Sequence, residues 1–243
     1  MLERIDYKDI KKYKLYIPFD LNSNSTLYFD KDLIHKIPYY KVKDFDNILS
    51  RINEVSLNEL IEIKKLIYKN NFIVGYSMKN YKEYKSLKKF KRRNFALKKV
   101  DCIRLVEAFK MLSNNNLEYI DTNLSNILLN KTTGDIKICD VDSLKFKDSK
   151  KLSSYELKQI LKLILSYLYN VREKDMYNVL NSDGINFNNE YIKASCSNKC
   201  DITLDIIYKI IDTISLKDVV FERSFIIDKS KKLCDTGYYK YRR

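Results

Sequence analysis

The sequence predicts an α+β protein in which a small antiparallel β lobe, residues 1–78, precedes a mainly helical lobe, residues 79–243. Three observations lead there. Up to Met78, short apolar runs alternate with turn-forming stretches, as strands do. From Phe95 onward, apolar residues recur at roughly helical spacing. Between these regions the glycine-containing stretch 130–135 separates two short apolar runs, the pattern of a hairpin. The chain has 243 residues, 45% of them hydrophobic, enough to bury a core. Its 4 Gly and 2 Pro supply too little turn chemistry for an all-β sandwich or a glycine-loop dinucleotide fold.

Strands are expected first at 14–18, 26–29 and 33–37, separated by DLNSNS and FDKD. A short helix is expected at 44–53. Strands 61–68 and 72–78 follow, joined by Lys69, Asn70 and Asn71. A long helix at 95–112 would bury Val100, Ile103, Leu105, Val106, Phe109 and Leu112. After a compact loop at 117–126, the runs 127–129 and 136–139 form the hairpin. Ser153 or Ser154, with Glu156 or Leu157, starts a capped helix whose buried side is Leu157, Ile160, Leu161, Ile164, Leu165 and Leu168. Segment 181–200 reads as a loop, and 202–214 as a last amphipathic helix.

The net charge of +14 is local. Residues 79–99 carry ten Lys or Arg against Glu83 alone, a charge of +9, and 229–243 carry six against Asp235, a charge of +5. The rest of the chain is neutral, so either segment could face an anionic partner: RNA, DNA or an acidic protein. In the first segment Tyr81, Tyr84, Phe90 and Phe95 interleave with the cations, which suits phosphate contacts with base stacking and equally a solvated face whose aromatics pack inward. A single histidine, His35, excludes multi-His zinc sites and makes a Ser-His-Asp triad improbable. The odd set of five cysteines, with no apolar leader at the N-terminus, suits reduced thiols and a cytoplasmic setting. Cys196 and Cys200 could offer two metal ligands, but no second pair follows. The longest apolar stretch, near 160–168, is broken by Lys162 and too short to span a membrane.

The chemistry-bearing segment runs from Tyr119 through Ile120, Asp121, Thr122, Asn123, Leu124 and Ser125 to Asn126, continues into Ile127, Leu128 and Leu129, and resumes with Ile138, Cys139, Asp140, Val141 and Asp142. The bare spacing of an Asp five residues before an Asn recurs at Asp183 and Asn188, so the weight lies in the context: a long helix before it, an apolar strand after Asn126, a glycine turn, and a second strand ending on Asp140. In that context the sequence resembles the protein-kinase-like superfamily, as a divergent, minimal, bacterial or phage-type Ser/Thr-kinase-like protein. The family's catalytic loop is H-R-D-x-x-x-x-N, and its metal-binding D-F-G ends the next strand.

The resemblance implies a two-lobed protein-kinase-like fold and transfer of the ATP γ-phosphate to a hydroxyl acceptor, with protein Ser/Thr first among them. Asp121 would align the acceptor and take its proton, and Asn126 and Asp140 would hold Mg2+, a hard cation that prefers oxygen donors. Asp142 could add a second metal carboxylate or face water. Lys36, alternating with apolar neighbours on the expected strand, would contact the phosphates. Its helix partner would be Glu54, with Glu59 as competitor. Segment 73–78, with Tyr76 and Met78, resembles the strand and hinge that bind the adenine edge through backbone groups.

Departures are equally plain. The glycine-rich loop is replaced at 20–26 by a stretch without one Gly, Tyr119 and Ile120 stand for the His and Arg, Asn123 for a lysine, and Asp142 for the last glycine of D-F-G. No A-P-E motif follows, so a long peptide-binding activation segment is missing. Three readings therefore stand together: an active kinase, a pseudokinase or regulatory binding module, and a nucleic-acid-binding protein using the 79–99 patch.

Overall fold

The structure, a computed structural model, describes residues 2–16, 25–40, 44–55, 57–180, 190–196 and 201–215. Within the first of two compact units, Met1–Glu173, the strands β1 (Glu3–Asp6), β2 (Lys14–Tyr16), β3 (Ser25–Asp30), β4 (Leu33–Pro38), β5 (Ile63–Lys69) and β6 (Phe72–Lys79) form one sheet in the order β1-β5-β6-β4-β3-β2. All its pairings are antiparallel except β1 on β5, which is parallel. Strand β1 was not expected. Its sequence ERID has no alternating apolar face, and it forms by pairing with the free edge of β5, a tertiary event rather than a local preference. It leads directly into a single helical turn, α1 (Tyr7–Ile10), capped by the Asp6 side chain.

The turn between β5 and β6 is local chemistry. Asn70 and Asn71 both take positive φ, 50° and 67°, as a two-residue hairpin matched to strand twist requires. At the sheet's centre β4 and β6 approach closely. A Cβ on Gly75 would lie 2.2 Å from the Lys36 carbonyl oxygen, so only glycine fits there. Helix α2 (Phe45–Val55) buries Phe45, Ile48, Leu49 and Ile52, spaced as one helical face.

After β6 the character changes as expected, and 79–99 is built from short pieces. It holds a short strand β7 (Tyr84–Ser86), a 3-10 turn Leu87–Lys89, and the start of α3 (Phe95–Asn114). Strand β7 pairs with β9 (Ile127–Asn130), which pairs with β10 (Ile136–Ile138) in the expected hairpin. A further two-stranded ladder joins β8 (Leu117–Tyr119) to β11 (Leu144–Phe146). Backbone bonds from Ile138 N to Glu59 O (2.6 Å) and from Ile61 N to Ile138 O (3.1 Å) tie the hairpin to the chain entering β5.

Helix α3 packs on β8, β10 and on α4 (Ser154–Tyr169). The buried face of α3 differs from the expected one: Cys102, Leu105, Val106, Ala108, Phe109 and Leu112 are inside, whereas Val100 and Ile103 are exposed. The stripe is displaced because the first two turns anchor on charge. Asp101 is fully buried, takes two bonds from Arg93 (2.6 and 3.1 Å) and one from the Tyr167 hydroxyl (2.7 Å). Lys98 is buried too, donating to the Tyr167 carbonyl (2.8 Å) and the Asn170 side chain (2.7 Å), and burial lowers its pKa to about 8. Two members of the basic segment are thus internal struts. Its aromatics are also committed to packing, with Tyr81 edge-on to Tyr84 and Phe95 against Tyr169, while Lys85, Lys88, Lys89, Lys91 and Arg92 are exposed.

Helix α4 begins as expected, with Ser153 and Glu156 closing a reciprocal capping box, and its six expected apolar residues are all buried. Helix α5 (Glu173–Leu180) then runs from the end of the first unit into the second, Lys174–Arg243. There α6 (Glu190–Cys196) is helical within the loop expected at 181–200, whose residues 181–189 and 197–200 lie outside the described residues, and α7 (Leu204–Thr213) is the expected last helix. Residues 20–24, Cys200 and the basic tail 229–243 lie outside the described residues, as does the Cys196 side chain. Among the described residues no helix is long and apolar enough to cross a membrane.

Candidate active site

The loop after β8 is built by its own side chains. Asn123 Oδ1 accepts from the backbone N–H of Ser125 (3.0 Å) and Asn126 (3.2 Å), closing a tight turn. Its Nδ2 donates to Asp121 Oδ1 at 3.0 Å, and Asn126 Nδ2 donates to Asp121 Oδ2 at 2.9 Å. Asp121 is therefore exposed yet oriented on both oxygens. The loop is also clamped from outside, because Glu173 Oε1 accepts from Leu124 N (2.8 Å) and Lys88 N donates to Leu124 O (3.4 Å).

The β9–β10 hairpin carries the second carboxylate to the same place. Cys139 N donates to Asn126 O at 2.9 Å, which sets Asp140 one residue beyond the hydrogen-bonded pair. The Tyr119 hydroxyl, buried, donates to Cys139 O at 2.8 Å and fastens the loop to the hairpin end. Burial pushes the Tyr119 phenol well above its ordinary value and the Cys139 thiol up to about 11, so both stay neutral. Asp140 is in the left-handed region, φ 68° and ψ 46°, a conformation that Asp tolerates better than most residues. Ser143 closes the turn behind it, its N–H on Asp140 O (2.9 Å) and its hydroxyl on Asp140 Oδ2 (3.1 Å).

Lys36 arrives from β4. Its ammonium donates to Asp140 Oδ1 and to Asp142 Oδ1, the latter at 2.6 Å. Asp142 is the more enclosed partner, its side chain 2% exposed against 25% for Asp140. It also accepts from the Tyr76 hydroxyl (2.9 Å) and the Tyr40 hydroxyl (3.3 Å). Burial first, and the Asp142 charge second, hold the Tyr76 phenol well above its ordinary value and raise that of Tyr40. A cavity of about 440 Å³ opens beside these residues, lined by Tyr40, Asp121, Asp142, Ser143, Lys145 and Phe146 among others.

One expected site residue is placed elsewhere, and Met78 stands on the expected strand. Glu54 is 66% exposed and pairs with Arg51 on its own helix at 3.6 Å, while the carboxylates on Lys36 come from the hairpin end. Met78 is half-buried in β6 between Ile34 and Ile63. Tyr76 is in the site through its side-chain hydroxyl. The Tyr119 link and the Tyr76 and Tyr40 bonds to Asp142 had no signal in the sequence beyond the abundance of tyrosine, since each joins residues 20 or more positions apart.

The oxygen donors fit Mg2+. Asn126 has spent its Nδ2 on Asp121, which leaves Oδ1 for a cation, and Asp140 supplies a carboxylate on the adjoining strand end. Asp142 fits less well, because both of its oxygens already serve Lys36 and two tyrosines in a buried setting. Among the described residues no cluster of three or more His, Cys, Asp or Glu could hold a metal. A site of one or two carboxylates completed by phosphate oxygens and water is the ordinary arrangement for this ion.

No family model matches the sequence, and no curated protein matches it. The fold is similar to that of a solved structure, the Cydia pomonella granulovirus kinase PK-1, with a TM-score of 0.55 at 14% identity, over 78% of this chain and 88% of that one. The likeness is one of fold: the chain is a mixed α+β protein of kinase-like architecture, with a small, mostly antiparallel sheet followed by a helical part.

Proposed function

We propose that the protein is an ATP- and Mg2+-dependent phosphotransferase that delivers the γ-phosphate to a hydroxyl acceptor, a protein Ser or Thr side chain. The observation that carries this reading is the convergence of Lys36, Asp140 and the Asp121–Asn126 pair from three separate chain segments. Bound ATP with Mg2+ would supply the transferable phosphoryl group. Lys36 neutralises phosphate charge, and Asp140 with Asn126 Oδ1 holds the cation. Asp121, oriented by Asn123 and Asn126, accepts the proton of the acceptor hydroxyl. Residues 1–78 form the nucleotide-binding lobe in this reading, and 79–243 carry the catalytic loop and metal-binding hairpin.

The test is a thermal-shift titration with ATP, with and without Mg2+, followed by turnover. Wild-type protein should be stabilised by ATP only weakly without Mg2+ and strongly with it. Asp140→Ala should lose the Mg2+-dependent part. Asp121→Asn should keep the shift and lose about 10²–10⁴-fold in turnover. A shift without any turnover in wild-type protein identifies a pseudokinase, and no shift at all refutes nucleotide binding. We also propose that the exposed cations Lys85, Lys88, Lys89, Lys91 and Arg92 dock an anionic partner, since they cluster within eight residues of a segment whose Lys88 backbone is tied to the Asp121 loop at Leu124.

A further inference from the structure

We infer that Asp142 is the positioning residue for Lys36, so that the lysine is aimed from within the Asp140–Asp142 turn and not by a carboxylate on α2. This deepens the phosphotransferase reading and rests on it for its functional meaning. In kinases generally the phosphate-contacting lysine works when paired with a glutamate on a mobile helix. Here the α2 acid named for that task, Glu54, is solvent-exposed and bonded to Arg51. Asp142 holds every property the partner needs. It meets Lys36 at 2.6 Å, its side chain is 2% exposed, and its remaining capacity is filled by Tyr76 from β6 and Tyr40 from the bend after β4.

The geometry explains why a glycine is absent at this position. The turn must present a carboxylate inward two residues after Asp140, and the 3-10 turn Val141–Ser143 does so with Val141 and Asp142 both buried. A buried carboxylate needs a full set of donors, and one ammonium with two phenols provides it. A lysine held by the same turn that carries the metal carboxylate is aligned whenever that turn is formed, and α2 acts on it only through its packing against that turn.

The test reads Lys36 directly, in nucleotide-free protein. Brief acetylation with an N-hydroxysuccinimide ester, quantified at Lys36 by mass spectrometry, should be slow in wild-type protein. It should accelerate at least about tenfold in Asp142→Asn, which removes an opposite charge at hydrogen-bond distance, and stay within about twofold in Glu54→Gln, whose acid is exposed and elsewhere engaged. In parallel, Asp142→Asn should raise the ATP concentration for half-maximal thermal shift by about tenfold or more, with Glu54→Gln unchanged. Equal labelling of wild type and Asp142→Asn, or faster labelling in Glu54→Gln, overturns the inference. If Asp142→Asn does not fold, a crystal structure of the wild-type protein decides: Lys36 Nζ on Asp142 supports it, and Lys36 Nζ on Glu54 or Glu59 overturns it. Absence of any ATP shift in wild-type protein refutes the phosphotransferase reading alone, because the labelling comparison needs no nucleotide.

Discussion

Asp101→Ala removes the hub that joins the start of α3 to α4. The buried carboxylate accepts two bonds from Arg93, at 2.6 and 3.1 Å, and one from the Tyr167 hydroxyl at 2.7 Å. The Arg93 side chain is only 9% exposed, so the substitution leaves an enclosed guanidinium and a buried phenol without their acceptor. Breaking a buried pair from one side costs about 3–5 kcal/mol, mostly from the charge left behind. Against a total stability of about 5–15 kcal/mol this is a large fraction. For a chain of this size it corresponds to a fall in Tm of about 10 °C. Urea unfolding followed by circular dichroism measures it. Removing the stranded charge as well, in Arg93→Met with Asp101→Leu, should cost less than Asp101→Ala alone. The reasoning fails if Asp101→Ala unfolds within about 1 kcal/mol of wild type, the range of an exposed pair.

Lys98 gives a pH signature. Burial holds its folded pKa near 8, below its ordinary value, so above that pH the unfolded chain carries a proton the folded one has released. Stability therefore gains with rising pH between about 8 and 10 from this group. Lys98→Met should remove that gain when urea midpoints at the two ends are compared, and equal slopes in both proteins would count against it. Gly75→Ala should destabilise by about 1–3 kcal/mol through the clash with the Lys36 carbonyl and raise the ATP requirement by shifting β4. An unaltered unfolding midpoint would show that the two strands can part without cost. Neutralising Lys88, Lys89, Lys91 and Arg92 to Gln should elute the protein from heparin at lower salt and flatten the salt slope of polyanion binding. Arg93 is left in place because it belongs to the Asp101 hub. Unchanged elution would assign the patch to solvation.

Much of the architecture was legible in local patterns because local forces decide it. The Asn70–Asn71 turn, the Ser153–Glu156 capping box and the apolar face of α4 each depend on residues within a few positions of one another. So does the Asp121–Asn126 loop, whose side chains hydrogen-bond across two to five residues. The strands near 26–37 and 61–78, the long helix α3, the β9–β10 hairpin, α4 and α7 followed from the same periodicities, whereas β1, β7 and α6 did not.

What the tertiary structure alone decided concerns partners far apart in the chain. The displaced face of α3 was set by Asp101, which is polar by type and buried only because Arg93 and Tyr167 meet it. The edge strand β1 exists because β5 offers a row of backbone groups 62 residues away in register, Glu3 opposite Lys65. The ion pair at Lys36 spans 106 positions to Asp142. Residue types alone pointed to Glu54, with Glu59 as competitor, for that role, and to Asp142 as a second metal carboxylate or a group facing water. Burial separates them, since a carboxylate in solvent gains little from pairing, whereas one enclosed with an ammonium and two phenols must keep them.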